Sequence, residues 1–300
     1  MLQTRRQWLA SIATPLAVTV WRGFPAATPG PVWDARLASI RPSLRKDPDR
    51  VLHDLTAIGY KAVEGYSRLE TIALAPLLRQ AGLAIRSSEC ETPLVTADWQ
   101  YYPELKRLPV SEAIDSLKNA GAEYFIMGDI SSGARGDGDD FYRRTADRMN
   151  DVGQACRKSG LKFVWQIQGF HFQGKPGLRP IDILHDRLDA KVTLMELDVF
   201  RVSLAGHDPA EMLKQWKGRV AVVRLIDKTK GTRGQFDDAV EQGAYSNLGE
   251  GVLDFPAILK AAASAGVRTF TVGQAPLDED ESDSPGGLRK NLEYLKKLHG

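Results

Sequence analysis

Eight times between Val32 and Gln274 the chain passes from a short apolar run to an amphipathic or helix-length segment. The runs are VWDARLASI, YKAVEG, LAIRSS, EYFIMGD, LKFVWQIQ, VTLMELDVF, RVAVVRLID and RTFTVGQ. They read as buried parallel strands, apolar on both faces because both faces are covered. The segments between them carry helix punctuation. Asp47 stands as a cap before Pro48, and Gly59, Gly82 and Gly160 stand where helices should stop. Strands alternating with helices imply a parallel sheet. Eight such units in a chain of 300 residues predict the α/β class and a single closed (β/α)8 TIM barrel. The rival, an open doubly wound sheet, should carry Gly-x-Gly-x-x-Gly after its first strand, and this chain does not. SSGARGDGDD, after the fourth run, is followed by no nucleotide-binding helix pattern and reads as a loop. No linker-like stretch divides residues 29–300, which read as one domain.

Residues 1–28 follow a different pattern. In MLQTRRQWLASIATPLAVTVW, Arg5 and Arg6 stand just before an apolar run from Trp8 to Trp21. The run is short and interrupted by Pro15, a poor membrane span. This is the pattern of a twin-arginine signal peptide, with Ala26 and Ala27 near where cleavage would fall. It implies the twin-arginine export machinery as a partner, a periplasmic or secreted mature protein, and no stable membrane span after cleavage. The two cysteines, Cys90 and Cys156, could be oxidised in that compartment. Nothing in the sequence brings them together, so no disulfide is expected. A hydrophobic content of 43% supports a core that needs no staple. The net charge of +2, with no basic stripe carrying aromatics, gives nucleic-acid binding no support.

In such a barrel, chemistry sits where the strands end. The predicted ends carry Glu64, Glu89, Asp129, Gln166 and Gln168 with His171 beyond, Glu196 and Asp198 with Arg201 beyond, Arg224 and Asp227, and Gln274. Each has an ordinary explanation. Glu64 or Asp129 could cap a helix, Arg224 could pair with Asp198, and Gln166 could satisfy Gln168. A lone His171 reads first as a surface-loop residue. Together, polar groups converging on one mouth point to a ligand pocket. KFVWQIQGFHF, from Lys162 to Phe172, states the question most sharply, because a buried strand rarely spends two positions on amides.

Four stretches, DPDRVLHDLTAIGYKAVEGY, RMNDVGQACRKSGLKF, ELDVFRVSLAGHDPAEMLKQWKGRV and LGEGVLDFPAILKAAASAGV, carry a family resemblance. From about Arg41 to Leu295 the sequence resembles the sugar phosphate isomerase/epimerase family, whose fold is the xylose isomerase-like TIM barrel. The resemblance implies a small-molecule carbohydrate as substrate and proton transfer beside a carbonyl. It also implies one divalent metal held by two Glu, one Asp and one His. Asp198, in LDVF, is the only clearly retained ligand position. Where close relatives read Tyr-His-Asn-His on the fifth strand, this chain has Trp165, Gln166, Ile167 and Gln168, and His171 stands where a Glu would follow. Arg224 replaces a His, Gly273 a Glu and Arg201 a Trp, and Glu89 stands at a His position. Amides and guanidinium are poor divalent-metal ligands, so the metal is disfavoured and the cofactor left open. The resemblance then implies an isomerase or epimerase-like protein with Glu64, Glu89, Asp198 and Asp227 as catalytic acid/base groups. Trp165, Gln166, Gln168, His171, Arg201, Arg224 and Gln274 would bind the substrate. The alternative is a non-catalytic carbohydrate-binding protein on the same barrel, its rim furnished by Trp99, Tyr101, Tyr102 and Trp165.

Overall fold

The computed structural model describes residues 30–299 apart from 101–107, 129, 131, 136–137 and 276–284. The predicted signal peptide, Tyr101, Tyr102 and Asp129 lie outside the described residues. The barrel strands are β1 (Val32–Arg36), β2 (Ala62–Gly65), β3 (Ala84–Cys90), β4 (Tyr124–Met127), β5 (Lys162–Gln166), β6 (Thr193–Asp198) and β7 (Val220–Leu225). A two-stranded ribbon, β8 (Asp227–Lys228) with β9 (Tyr245–Ser246), precedes the last barrel strand, β10 (Thr269–Val272). The eight barrel strands close through parallel pairing of β1 with β10. Closure leaves no sheet edge. No described helix is long and apolar enough to cross a membrane.

The sequence dictates each unit locally. Asp47 accepts from the Arg50 N–H at the start of helix Pro48–Ile58, and Gly59 ends that helix with φ 114°. That left-handed conformation suits glycine. Alternation along the strands then sorts side chains. Phe163 and Trp165 on β5 join the layer between barrel and helices, whereas Val164 meets Tyr124, Ile126 and Val222 inside. Helix Asp139–Ser159 lies so close to β6 that a Cβ on Gly153 would come within 2.5 Å of the Val192 carbonyl. Register sets the mouth. Arg36 is level with Glu64, and Arg224 is level with Thr271 on one side and Asp198 on the other.

Two expectations change. The first strand stops at Arg36, because Leu37–Ile40 turn into a 3-10 segment that buries Leu37 and Ile40. Beyond the seventh run, where the sequence predicts no further strand before the eighth, the chain forms the β8–β9 ribbon. Cys90 and Cys156 are both buried and free.

Candidate active site

β7 points Arg224 into the barrel, 3% exposed. Its Nη2 donates to Glu64 Oε1 at 2.8 Å, Glu196 Oε2 at 3.2 Å and Glu89 Oε1 at 3.3 Å. Its Nη1 lies 3.9 Å from Asp198 Oδ2. The carboxamide of Gln166, turned oxygen-first, accepts from the same guanidinium. Glu64 is held from its other side by the Thr271 hydroxyl at 3.0 Å. A second guanidinium, Arg36, lies 3.4 Å from Glu64 and 3.6 Å from Glu89. Four carboxyl groups thus share two cations.

Their protonation follows from that crowding. Burial opposes the charge on Arg224, but Glu196, Glu64, Glu89 and Asp198 outweigh it and drive its pKa further up. Burial pushes the Glu196 carboxyl well up; Arg224 opposes this, and the neighbouring carboxylates add to it. Glu89 is raised by burial as well, against the pull of Arg224 and Arg36. Breaking a buried ion pair of this kind costs about 3–5 kcal/mol, because the partner charge is stranded.

Several predicted residues do meet at a cavity of about 290 Å³. Glu89, Asp198, Gln166, Gln168, Arg201, Arg224 and Gln274 line it, while Glu64 is sealed beneath, against Arg224. Asp198 also accepts from the Arg201 N–H at 3.1 Å as the cap of helix Val199–Leu204. Gln274 accepts from the Leu288 N–H at 2.8 Å. Arg201 donates to the carbonyls of Asp237 and Asp238.

Three predicted residues do other work. Trp165 is buried on the helix side of β5, away from the cavity, because strand alternation puts it opposite Gln166. His171 is no surface histidine but 1% exposed, with its Nδ1 accepting from the Gln168 N–H at 2.9 Å. Burial, reinforced by Arg135, lowers its pKa to about 3. It therefore stays neutral and fixes the backbone that carries Gln168. Asp227 accepts four backbone N–H groups, from Lys228, Gly249, Gly251 and Leu253. Both its oxygens are committed to a loop. Trp99 packs half-buried against the main core. Sequence reasoning missed Arg36, Phe200 and Tyr245 as site residues, and placed Glu196 at the mouth without giving it a role. The rings of Phe200 and Tyr245 stack at 4.3 Å on the cavity wall.

A divalent metal does not fit this arrangement. Three carboxylate oxygens converge at 2.8–3.3 Å, but on a guanidinium nitrogen. Magnesium or calcium would draw oxygens to about 2.0–2.6 Å and would have to expel Arg224. Among the described residues no group of three or more His, Cys, Asp or Glu is arranged to hold a metal ion.

Comparison with known proteins agrees on the architecture. A sugar phosphate isomerase/epimerase from Parabacteroides distasonis superposes with a TM-score of 0.69 at 18% identity, covering 91% of this chain and 98% of that one. A xylose isomerase-like TIM barrel protein from Mycobacterium smegmatis, in complex with magnesium, superposes at 0.62 with 17% identity, covering 90% of this chain and 96% of that one. This chain has the xylose isomerase-like TIM barrel fold of the sugar phosphate isomerase/epimerases. In sequence, the inosose dehydratase of Clostridium botulinum is 25% identical over 162 residues, 51% of this chain and 53% of that protein. The inosose dehydratase of Geobacillus thermodenitrificans is also 25% identical, over 51% of this chain and 53% of its own length. The chain thus spans about half the length of the curated relatives it matches. No family model matches the sequence.

Proposed function

We propose that this chain acts on a carbohydrate by acid/base chemistry at the barrel mouth, with Glu89 moving the proton and Arg224 as the fixed cation. The observation that carries this reading is the position of Glu89. Of the three carboxyl groups bonded to Arg224, Glu64 and Glu196 are sealed in at 1% and 0% side-chain exposure, whereas Glu89 reaches the cavity at 22%. Its pKa is raised by burial, toward the range where a carboxyl can both take and return a proton. Isomerisation, epimerisation and dehydration, the reactions in the names of the similar proteins, can each begin with a proton leaving a carbon beside a carbonyl. Charge then gathers on the carbonyl oxygen, and Arg224 with the amides of Gln166 and Gln168 would stabilise it. The Phe200–Tyr245 stack offers a flat wall for a sugar face.

Incubated in deuterium oxide with a panel of ketoses and inososes, the protein is expected to exchange the proton beside the carbonyl of at least one. Glu89→Gln should lower that rate about 10²–10⁴-fold while circular dichroism stays unchanged. Exchange that survives the substitution removes Glu89 from this role. A second reading, carbohydrate binding without catalysis, draws support from the three carboxylates that already occupy Nη2 of Arg224. It predicts tight sugar binding with no exchange in either protein. We further propose that Arg5 and Arg6 direct export. Replacing both with Lys should leave the protein in the cytoplasmic fraction, and unchanged localisation would argue against it.

A further inference from the structure

Arg36 is the cation in the mouth that the protein leaves underused. Its Nε and Nη2 stand 3.4 and 3.6 Å from Glu64 and Glu89. Those separations exceed the roughly 2.7–2.9 Å of a charge-assisted hydrogen bond. Among the described residues its guanidinium makes no hydrogen bond, and Nε is buried with only the longer ion pair to Glu64. Arg224 already donates to both glutamates, at 2.8 and 3.3 Å, so neither depends on Arg36 for a hydrogen-bond donor. Burial and the nearby Arg224 cation lower the pKa of Arg36, against the pull of Glu89, Glu64 and Asp198. Yet its side chain is 20% exposed and lines the cavity. An anion entering there would give the exposed part of the guanidinium the hydrogen bonds it lacks.

We infer that the ligand of this cavity is a sugar acid, a monosaccharide bearing a carboxylate, and that Arg36 receives the carboxylate. The inference rests on the reading of the cavity as a carbohydrate site. The cavity, about 290 Å³, falls just under the roughly 300–1,000 Å³ usual for ligand sites, which suits a single ring. A planar guanidinium matches two coplanar oxygens. A carboxylate is favoured over a phosphate because the second phosphate charge would fall beside Glu89, 3.6 Å from Arg36 Nη2.

Calorimetric titration of the full chain with hexuronates, the parent neutral hexoses and hexose 6-phosphates tests this. Hexuronates should bind about 10–100-fold more tightly than the neutral hexoses, the usual gain from a charged hydrogen-bonded pair. Arg36→Gln should abolish that preference while leaving the weaker hexose binding, and Arg36→Lys should keep part of it. Equal binding of hexuronate and hexose by the wild type overturns the sugar-acid inference and leaves the carbohydrate reading standing. So does a preference for hexose phosphate. A hexuronate preference that survives Arg36→Gln overturns the role of Arg36. Failure of every sugar to bind overturns the carbohydrate reading itself. Hexuronate binding lost in Arg36→Gln, with no proton exchange, upholds the inference and rejects only the proposed catalysis.

Discussion

Asp34 lies two residues before Arg36 on β1, fully buried, with Oδ2 accepting from Arg86 Nε at 3.1 Å and Oδ1 unpartnered. Burial raises its pKa from 3.8 to about 7, with Arg86 pulling the other way. A carboxyl whose folded pKa is raised stabilises the fold fully below its unfolded pKa, near 4, and that contribution is lost as pH rises through about 7. At about 1.4 kcal/mol per unit, the swing is on the order of 4 kcal/mol. Asp34→Asn should therefore gain on the wild type by a few kcal/mol between pH 4 and pH 8, as measured by urea denaturation. A constant difference would mean that Asp34 stays ionised beside Arg86 throughout. Neither Asp34 nor Arg36 stood out in the sequence. VWDARLASI reads as one strand, which puts Arg36 in mid-strand, whereas the chain turns at Leu37 and leaves Arg36 at a strand end. Glu89, Asp198 and Arg224 were legible because they are charged residues near the ends of the predicted strands. Trp165 could have been read correctly from alternation alone, since it neighbours Gln166 and must face the other way.

The connection after β7 shows a limit of reading charges one by one. Asp227 stands at a strand end like the others, yet Oδ1 accepts from Lys228 at 2.7 Å and Leu253 at 3.1 Å. Oδ2 accepts from Gly249 at 3.0 Å and Gly251 at 2.9 Å. The sequence LGEG fits because a Cβ on Gly251 would lie 2.4 Å from both Asp227 Oδ1 and the Lys228 carbonyl. The carboxylate organises a return loop, and the short β8–β9 ribbon, only two residues a side, carries too little periodicity to see. Asp227→Ala would leave four N–H groups without this acceptor. Each buried orphan costs about 1–3 kcal/mol, and with partial rehydration the total should be roughly 3 kcal/mol. Amide exchange at residues 249–253 should quicken at the same time. Asp227→Asn, keeping one oxygen, should fall between. Wild-type stability in Asp227→Ala with lost turnover would restore the catalytic role that its strand-end position suggested.

Closure of the barrel joins the ends of the described chain. Val32, Trp33, Asp34 and Ala35 pair with Thr269, Phe270, Thr271 and Val272. The rings of Trp33 and Phe270 meet at 4.9 Å, and Tyr60 donates to the Leu288 carbonyl at 3.0 Å, fastening helix Gly286–His299 over the seam. The eightfold strand pattern made this topology legible, because eight βα units have few other ways to bury every strand. The seam also bears on the site, for it carries Arg36 on one strand and Thr271 on the other. If β1 and β10 frayed as separate ends, their amides would exchange through local opening, with lower protection than the rest of the barrel. If closure is cooperative, Trp33–Ala35 and Phe270–Val272 should exchange only on global unfolding, with the same free energy as Val164 and Trp165 on β5. Native-state hydrogen exchange in low denaturant distinguishes the two, since local openings do not steepen with denaturant and global ones do. The expected result is one shared isotherm. A seam that opens earlier would make the Arg36 side of the mouth adjustable, and the position of Arg36 beside Glu64 and Glu89 would then vary without unfolding the protein.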